Sequence, residues 1–230
     1  MELNHSDASM RAVIILAGGD SSRLGQNKAL AHLAGKPLIM HVLDRLGTVG
    51  DEFLVSIGKA QSLDDYRRLL PTDVKVTQDS VDFQGPLAGF ITALAECKSD
   101  RCLLAACDMP FIEPKVVEFL FERARTAVAA VPRWQFGRLE TLHAIYACDT
   151  AKRAASQIAA LGARRMTDLI SSIHPVTFVS VESEISSIDS SLRTFRNLNT
   201  REDFAIAEAD LAGRQNALQE GSSRRNVANR

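Results

Sequence analysis

The sequence predicts an α/β fold of three layers, in which helices cover both faces of a mainly parallel β-sheet. Residues 11–16 (RAVIIL) and 102–107 (CLLAAC) are continuous apolar runs, which are typical of strands buried on both faces. Between and after these runs, apolar residues recur at helical spacing, so predicted strands and helices alternate along the chain. Such alternation indicates a parallel sheet, and in parallel sheets ligands bind at the carboxyl ends of the strands.

The first half of the chain contains the most regular part of this alternation. Proline suits the first turn of a helix, and Pro37, Pro86 and Pro114 each introduce an apolar pattern of helical period. The predicted strands of this half are residues 11–16, 53–57, 73–77, 102–107 and 126–131. The predicted helices are residues 38–46, 62–70, 86–97 and a helix that begins at Pro114.

The second half of the chain is less regular. Its predicted elements are strands at 140–147 and 176–181, helices at 150–162 and 164–171, and a short strand or turn at 195–199. Thr200 then has the character of a helix N-cap, with Asp203 three residues later as an imperfect capping-box partner.

Length and composition indicate one globular domain. The chain has 230 residues, of which 46% are hydrophobic and 24% are charged, and a domain of this length can bury a large core. We expect the domain over residues 11–210, with a flexible segment over 1–10 and a disordered tail over 211–230. Both ends are polar and lack a periodic apolar face.

Charge and hydropathy argue against several classes of function. The formal net charge is −1, so no overall basic field attracts nucleic acid or a membrane surface. The start of the chain lacks a signal-peptide pattern, and no run of about 18 apolar residues is present, so we expect a cytoplasmic protein. Its four cysteines have no CxxC spacing and are expected in the core rather than at a metal or redox site. They are Cys97, Cys102, Cys107 and Cys148.

The strongest functional signal is the segment LAGGDSSRLGQNKA at residues 16–29, which follows the first predicted strand. Its adjacent glycines lack a Cβ, so their N–H groups can approach phosphate oxygens, and its serines add hydroxyls. An arginine and a lysine add two positive charges, and the combination suits a triphosphate. The segment has neither the GxxxxGK[ST] pattern of a P-loop nor the GxGxxG pattern of nicotinamide-binding folds. The residues concerned are Gly18, Gly19, Ser21, Arg23 and Lys28.

This segment closely resembles the signature LAGGxSxRMGxxKA of molybdenum cofactor guanylyltransferases, within the wider superfamily of sugar-nucleotide-type transferases. The resemblance continues in family order over about residues 11–208. The further segments are DSVDFQGPLAG at 79–89, LLAACDMPFI at 103–112, ETLHAIY at 140–146 and FRNLNTREDF at 195–204. The chain departs from the family at Asn27, where aspartate is usual, so one carboxylate beside the predicted phosphate site is absent from the sequence.

The resemblance implies a fold, a reaction and a metal. The fold would be the Rossmann-like, nucleotide-diphospho-sugar transferase type. The donor would be GTP, the acceptor a molybdopterin-type molybdenum cofactor, and the products its guanine dinucleotide form and pyrophosphate. Asp108 would hold Mg²⁺, because one or two carboxylates suffice beside substrate phosphates and waters. Arg23 and Lys28 would be the other catalytic residues.

The resemblance also implies the residues that bind each substrate. Those expected at the nucleotide are Leu16, Ala17, Gly18, Gly19, Ser21, Lys28, Asp79, Gly85 and Asp108. Those expected at the acceptor are His143, Asn197 and Asn199. Asp82 competes with Asp79 as the carboxylate that contacts the nucleotide. In an extended segment the two asparagines would point to one side, while Leu198 between them points into the core.

Two other functions stay open at the level of the residues. The first is a cytidylyltransferase, or another nucleotidyltransferase with a different phosphorylated acceptor, although the Gly18-Gly19 pair resembles the guanylyl type more than the LAAG loop of cytidylyl relatives. The second is a nucleotide-binding protein without turnover, which loss of Lys28 or Asp108 would indicate, and both are present. We expect a monomer that binds GTP and molybdopterin and transiently contacts proteins that deliver or accept the cofactor.

Overall fold

The computed structural model describes residues 9–18 and 27–213. The strands are β1 (Arg11–Leu16), β2 (His32–Leu33), β3 (Lys36–Pro37), β4 (Glu52–Ile57), β5 (Val74–Gln78), β6 (Arg101–Ala106), β7 (Ala129–Arg133), β8 (His143–Ala147) and β9 (Val176–Ser180). The helices are α1 (Leu38–Leu46), α2 (Leu63–Leu69), α3 (Pro86–Glu96), α4 (Pro114–Arg123), α5 (Cys148–Ala160), α6 (Met166–Ser172) and α7 (201–213). Short 3₁₀ helices lie at Lys28–Leu30, Ile185–Ser187 and Arg193–Phe195.

Seven of the strands form one sheet in the order β5-β4-β1-β6-β8-β7-β9. The central strand β1 is parallel to both of its neighbours, and its Ile14 lies beside Leu54 of β4 and Leu104 of β6. β8 runs antiparallel to β6 and to β7, whereas β4–β5 and β7–β9 are parallel pairs. The predicted mainly parallel sheet is therefore confirmed, with β8 reversed.

Helices cover both faces of this sheet. Val13 and Ile15 of β1 belong to a core that includes residues of α1, α2 and α4, whereas Ala12 and Ile14 belong to a second core with α3, α5 and α6. The alternation follows from the two-residue period of a strand, and all four side chains are fully buried. A sheet between two helical layers is the three-layer arrangement that the sequence predicts.

Most element boundaries agree with the prediction to within two residues, and the main exceptions are β7 and β8. Each begins three residues later than predicted, at Ala129 and His143. After Thr126 the segment TAVAAV at 126–131 consists only of alanine and valine, so its composition does not mark the residue at which pairing with β9 starts. The β2–β3 hairpin is not predicted by the sequence at all. Its turn uses Ala34 and Gly35 at φ values of 49° and 79°.

The C-terminal helix α7 begins at the predicted N-cap. The Thr200 hydroxyl accepts a hydrogen bond from the Asp203 N–H at 3.1 Å, and the Asp203 carboxylate accepts one from the Thr200 N–H at 2.7 Å. This reciprocal pair is the capping box expected from the sequence. Leu198 and Ala207 are buried with Leu33 in a third, smaller core, so the prediction that Leu198 points inward is confirmed.

The ends of the chain fall mostly outside the described residues. α7 continues to residue 213, so the first three residues of the segment predicted as a disordered tail are helical. Residues 1–8 of the predicted flexible start and 214–230 of the predicted tail are not described. Across residues 9–18 and 27–213, no helix combines the length and the apolar character needed to span a membrane.

Candidate active site

A cavity of about 550 Å³ opens where β1, β4, β5 and β6 end, which is the edge at which parallel sheets bind ligands. A cavity of this volume is large enough for a nucleotide-sized molecule. Residues that follow these four strands form much of its wall: Ala17, Gly18, Gly58, Lys59, Gln61, Asp79, Cys107 and Asp108. Lys28, Asn199, Leu142 and the start of α3 line the remainder.

Two of the predicted glycines have a geometric reason to be glycine. A Cβ on Gly18 would lie 3.0 Å from the backbone nitrogen of Gly58, so the segments after β1 and β4 could not approach as closely with a larger residue. Gly85 precedes the first residue of α3 with a φ of 115°, which side chains other than glycine rarely adopt. Both glycines line the cavity, as the predicted nucleotide-binding role requires.

Lys28, Asp108 and Asn199 form a cluster in the cavity wall. The Lys28 ammonium donates to Asp108 Oδ2 at 2.5 Å and to Asn199 Oδ1 at 2.6 Å. These residues are far apart in sequence, and the fold joins them because Asp108 lies two residues beyond β6 while its carbonyl accepts the Leu198 N–H at 3.0 Å. That backbone bond holds the segment before α7 against the end of the sheet.

The carboxylate of Asp108 suits a hard divalent cation. Its Oδ2 is taken by Lys28, whereas its Oδ1 is buried and has no hydrogen-bond partner among the described residues. A buried carboxylate oxygen without a partner is costly, and a cation would satisfy it. In the part of the chain that the structure describes, no cluster of three or more His, Cys, Asp or Glu could hold a metal by itself. Mg²⁺ needs no such cluster when substrate phosphates and water supply its other ligands.

Asp79 is the second carboxylate that lines the cavity. It directly follows β5, and its Oδ1 accepts a hydrogen bond from the Ser56 hydroxyl at 3.1 Å. Burial raises the pKa of the Asp79 carboxyl above its ordinary value, against the opposing effects of the Ser56 hydroxyl and the Lys59 charge. The side chain therefore offers a partly desolvated acceptor to a ligand.

The competing residue Asp82 has a different environment. Its side chain is fully exposed, lies 3.5 Å from the Lys59 ammonium and does not line the cavity. Of the two carboxylates left open by the sequence, Asp79 lines the cavity and Asp82 does not.

Replacing Asp79 by asparagine is expected to stabilise the protein at neutral pH. A carboxyl group whose folded-state pKa is raised contributes stability while it is protonated, and this contribution is lost as the pH rises through that pKa. Asparagine removes the cost of ionising the group. The variant should unfold at a higher urea concentration than the wild type at pH 7, and the difference should shrink below pH 3.8, the ordinary pKa of the group. An unchanged or lower urea midpoint at pH 7 would contradict the raised pKa of the Asp79 carboxyl.

His143 does not reach the cavity. Its side chain is fully buried, with its ring 4.9 Å from that of Phe195 and its Nε2 3.2 Å from the Thr194 hydroxyl. Burial lowers its pKa to about 3, so the imidazole is neutral near pH 7. The predicted direct contact with the acceptor does not fit this position, and His143 instead packs the segment that leads to Asn199.

The buried imidazole should make the protein sensitive to acid. A histidine whose folded-state pKa is lowered contributes stability above its ordinary pKa of 6.5, and that stability is lost as the pH falls toward about 3. The loss from this group approaches roughly 1.4 kcal/mol per pH unit within that interval. Urea unfolding of the His143→Gln variant should therefore show a shallower dependence on pH than the wild type between pH 6 and 4. Parallel curves would contradict this origin of the acid sensitivity.

The two predicted asparagines occupy different positions. Both side chains are exposed, but only Asn199 both lines the cavity and contacts Lys28. Asn197 is not among the residues of the cavity wall. The structure therefore brings Lys28, Asp79, Gly85, Asp108, Asn199 and residues 16–18 together, while the predicted Gly19, Ser21 and Arg23 lie outside the described residues.

The contribution of the end of β4 and of the segment that follows it is not predicted from the sequence. Ser56, Gly58, Lys59 and Gln61 all line the cavity, although none belongs to a recognisable motif. Only a general rule could have indicated these residues, because residues at the carboxyl end of any strand in a parallel sheet face the ligand edge.

The cysteines lie where the sequence predicts them, in or near the core. Cys102, Cys107 and Cys148 are buried and Cys97 is partly buried.

Comparison with known proteins gives the family. The chain matches the family model described as "MobA-like NTP transferase domain" over residues 13–177. The chain belongs to this family. The matched range contains Lys28, Asp79 and Asp108, and ends before the segment that carries Asn199.

Relatives of similar length extend the match beyond that range. A protein of Methanosarcina mazei named "Probable molybdenum cofactor guanylyltransferase" is 34% identical over 214 residues, which cover 88% of this chain and 92% of the relative. A protein of the same name from Natronomonas pharaonis is 34% identical over 207 residues, which cover 88% and 98% respectively. The family likeness therefore includes most of the second half of the domain.

Solved structures show the same fold. The crystal structure of "Molybdopterin-guanine dinucleotide biosynthesis protein A" from Archaeoglobus fulgidus superimposes with a TM-score of 0.72 at 26% identity, and covers 88% of this chain and 99% of that one. A 4-diphosphocytidyl-2C-methyl-D-erythritol synthase from Anaerococcus prevotii has a TM-score of 0.67 at 14% identity, covering 90% and 97%. At that identity the second likeness concerns the fold only. The predicted nucleotidyltransferase fold is confirmed.

Proposed function

We propose that the chain transfers GMP from GTP to a molybdopterin-type molybdenum cofactor, giving its guanine dinucleotide form and pyrophosphate. The observation that carries this proposal is the Lys28–Asp108 pair, 2.5 Å apart, in a nucleotide-sized cavity of a MobA-like NTP transferase domain. The relatives that align over nearly their whole length are named as probable molybdenum cofactor guanylyltransferases, which supports this donor and this acceptor.

The chemistry places few demands on the protein. A phosphate monoester on the acceptor is mostly dianionic near neutral pH, because its second pKa is about 6, so no general base is required. Its oxygen forms a bond to the α-phosphorus of the donor. The bond from that phosphorus to the bridging oxygen of the β-phosphate breaks, and pyrophosphate leaves with the electron pair. Rate enhancement then comes from alignment and charge stabilisation.

Each side of the cavity has a role in this scheme. Lys28 binds phosphate oxygens and stabilises the charge that develops on the leaving pyrophosphate. Asp108, whose Oδ1 has no partner in the described residues, would hold Mg²⁺, and a bound Mg²⁺ would supply Lewis-acid neutralisation of phosphate charge. Arg23 is proposed to add a second positive charge at the phosphates.

The carboxylate of Asp79 favours guanine as the base of the donor nucleotide. A carboxylate can accept two hydrogen bonds at once, and guanine presents two neighbouring donors, its ring N–H and its amino group, on one edge. Cytosine presents a hydrogen-bond acceptor beside its amino group, which a carboxylate would repel.

Asn199 is proposed to face the acceptor substrate, because it belongs to the second half of the chain and its amide lies beside Lys28.

Pyrophosphate release with each nucleoside triphosphate, with and without molybdopterin, tests the proposal. We expect release with GTP and Mg²⁺ that depends on molybdopterin, and little release with CTP, ATP or UTP. Release with CTP instead would favour the cytidylyltransferase alternative, and release that needs a different phosphorylated acceptor would reject molybdopterin. Binding of GTP without release of pyrophosphate under any condition would favour a nucleotide-binding protein without turnover.

The Asp79→Asn variant should bind GTP about tenfold more weakly, since a hydrogen bond to a charged group is worth roughly 1.5–3 kcal/mol.

Three further expectations stay predictions. They are a cytoplasmic location, a monomeric state and transient contact with proteins that deliver or accept the cofactor. The unpaired state of the four cysteines is consistent with a reducing compartment. Sedimentation of the purified protein would measure the oligomeric state directly.

A further inference from the structure

A partly buried hydrogen-bond network lies beside the candidate active site, and the proposed chemistry does not use it. Asn27 is its first member. The Asn27 Oδ1 accepts the N–H of Ala29 at 3.1 Å, which caps the 3₁₀ helix that starts at Lys28. The Asn27 Nδ2 also lies 3.1 Å from the Tyr66 hydroxyl. Both the oxygen and the nitrogen of the Asn27 side chain are therefore held by hydrogen bonds, directly before Lys28.

Gln61 is the second member and fixes the other end of the glycine-rich segment. Its Nε2 donates to the carbonyl of Ala17 at 2.9 Å and to the Tyr66 hydroxyl at 3.2 Å, while its Oε1 accepts the Gly58 N–H at 2.6 Å. Ala17 is the first residue after β1. One glutamine thus ties the end of β1 to the segment that follows β4.

Tyr66 joins the two amides. Its ring belongs to the core beneath α2 and the whole residue is fully buried. Its hydroxyl lies within hydrogen-bond distance of two donors, Asn27 Nδ2 and Gln61 Nε2, and of two acceptors, Asn27 Oδ1 at 3.2 Å and the Ala17 carbonyl at 3.5 Å. A phenol can accept two hydrogen bonds and donate one, so its single proton goes either to Asn27 Oδ1 or to the Ala17 carbonyl. Burial raises the pKa of Tyr66, which keeps the hydroxyl neutral and able to donate.

We infer that Asn27, Gln61 and Tyr66 are positioning residues that set the distance between Ala17–Gly18 and Lys28 across the nucleotide site. Ala17 and Ala29, one on each flank of the segment 18–27, also belong to the same apolar core, but packing of this kind is not directional, whereas hydrogen bonds fix both distance and orientation. A shared buried hydroxyl fixes the two flanks relative to each other, and small displacements of a charged group relative to a reacting phosphate cost much of its effect. This inference rests on the proposed function, since it acts through Lys28.

The network also explains how asparagine can stand at position 27, where aspartate is usual in the family. A side chain there must accept from the Ala29 N–H and must pair with the Tyr66 hydroxyl. An aspartate could do both by accepting twice, with the hydroxyl as donor. An asparagine does so without placing a negative charge next to Lys28, so the position requires an acceptor rather than a charge.

Matched substitutions separate positioning from stability. Tyr66→Phe removes only the shared hydroxyl, and Asn27→Leu removes both amide contacts at similar size. We expect each to lower kcat/KM for GTP at least about tenfold, and Asn27→Asp to stay within about threefold of the wild type. Tyr146→Phe is the control, because Tyr146 is also fully buried and its hydroxyl bonds elsewhere, to the Thr141 carbonyl at 2.8 Å. It should lower the melting temperature to a similar degree but leave kcat/KM for GTP within about threefold.

A double-mutant cycle with Lys28→Ala provides the deciding measurement. If the network acts through Lys28, Tyr66→Phe should change kcat/KM by less than about threefold in the Lys28→Ala background. An equal loss in both backgrounds would overturn the inference, because the hydroxyl would then act independently of the lysine. Equal losses in Tyr66→Phe and Tyr146→Phe would overturn it as well, since they would show a general effect of core destabilisation.

A readout that needs no turnover separates this inference from the proposed function. Amide hydrogen exchange at Ala29 should be faster in Tyr66→Phe and Asn27→Leu and unchanged in Tyr146→Phe. If the wild type releases no pyrophosphate from any nucleotide, the proposed function fails, whereas the exchange data still decide whether the network holds the start of the 3₁₀ helix. Unchanged exchange at Ala29 in both variants would overturn the network itself.

Discussion

The Asp108→Asn variant is expected to lose pyrophosphate release by on the order of a thousandfold while it remains folded. Removing a group that only supports a metal ligand typically costs about 10–100-fold, and Asp108 is the proposed ligand itself. Asparagine keeps the shape of the side chain and can still accept from Lys28. The backbone bond from the Leu198 N–H to the Asp108 carbonyl does not involve the side chain. The loss should therefore fall on turnover rather than on the melting temperature.

Asp82→Asn is the matched control for this substitution. Asp82 is a fully exposed carboxylate near the rim of the cavity, paired only with Lys59 at 3.5 Å among the described residues. Its replacement should leave kcat/KM within about threefold. Steady-state kinetics over a range of Mg²⁺ concentrations would test both variants. Wild-type turnover by Asp108→Asn at ordinary Mg²⁺ would end the assignment of Asp108 as the metal ligand.

The sequence predicts the part of the site that depends on strand ends. Asp108 and residues 16–18 each follow a continuous apolar run, and such a run has a recognisable end even without a structure. Once the sheet is parallel, these ends meet at one edge. The choice between Asp79 and Asp82 could not be made in the same way. Both lie in an irregular segment after β5, where the direction of a side chain depends on the turn.

His143 shows where a motif and the period of a strand predict different positions for one residue. The resemblance places it in the segment ETLHAIY as a polar residue at the acceptor. In a strand, residues 143 and 145 point to the same face, and Ile145 belongs to the core that includes α4. Leu142, one position earlier, lines the cavity instead. Alternation within β8 predicts a buried histidine, and the structure has one.

The hydrogen-bond partners of Asn27 could not be predicted from a motif or from a periodicity. Its partner Tyr66, and Gln61 on the same hydroxyl, lie more than thirty residues away in sequence. Nothing in the local composition links them, because the contact arises from the packing of α2 beneath the end of β1. Tertiary hydrogen bonds of this kind are visible only once the sheet order places the segments after β1 and β4 side by side.

Lys28→Ala is expected to reduce kcat/KM for GTP by on the order of 10²–10³-fold, or roughly 3–4 kcal/mol of transition-state stabilisation. An ammonium group has three N–H donors. Two of them are used by Asp108 and Asn199 at 2.5 and 2.6 Å. The third remains for a phosphate oxygen, since Lys28 lines the cavity. The side chain is only 18% exposed, which limits screening by solvent and strengthens the interaction with developing charge.

Lys115→Ala is the comparison that isolates this effect. Lys115 is an exposed lysine in the first turn of α4 and does not line the cavity. Its loss changes the net charge by the same amount as the loss of Lys28, so any general effect of charge on substrate attraction appears in both variants. Kinetics of the two variants and of the wild type in the same buffer would therefore measure the local contribution of Lys28. A loss of less than about threefold in Lys28→Ala corresponds to under 1 kcal/mol and would remove Lys28 from the catalytic residues, because a positioned charge at the transition state is worth several times more.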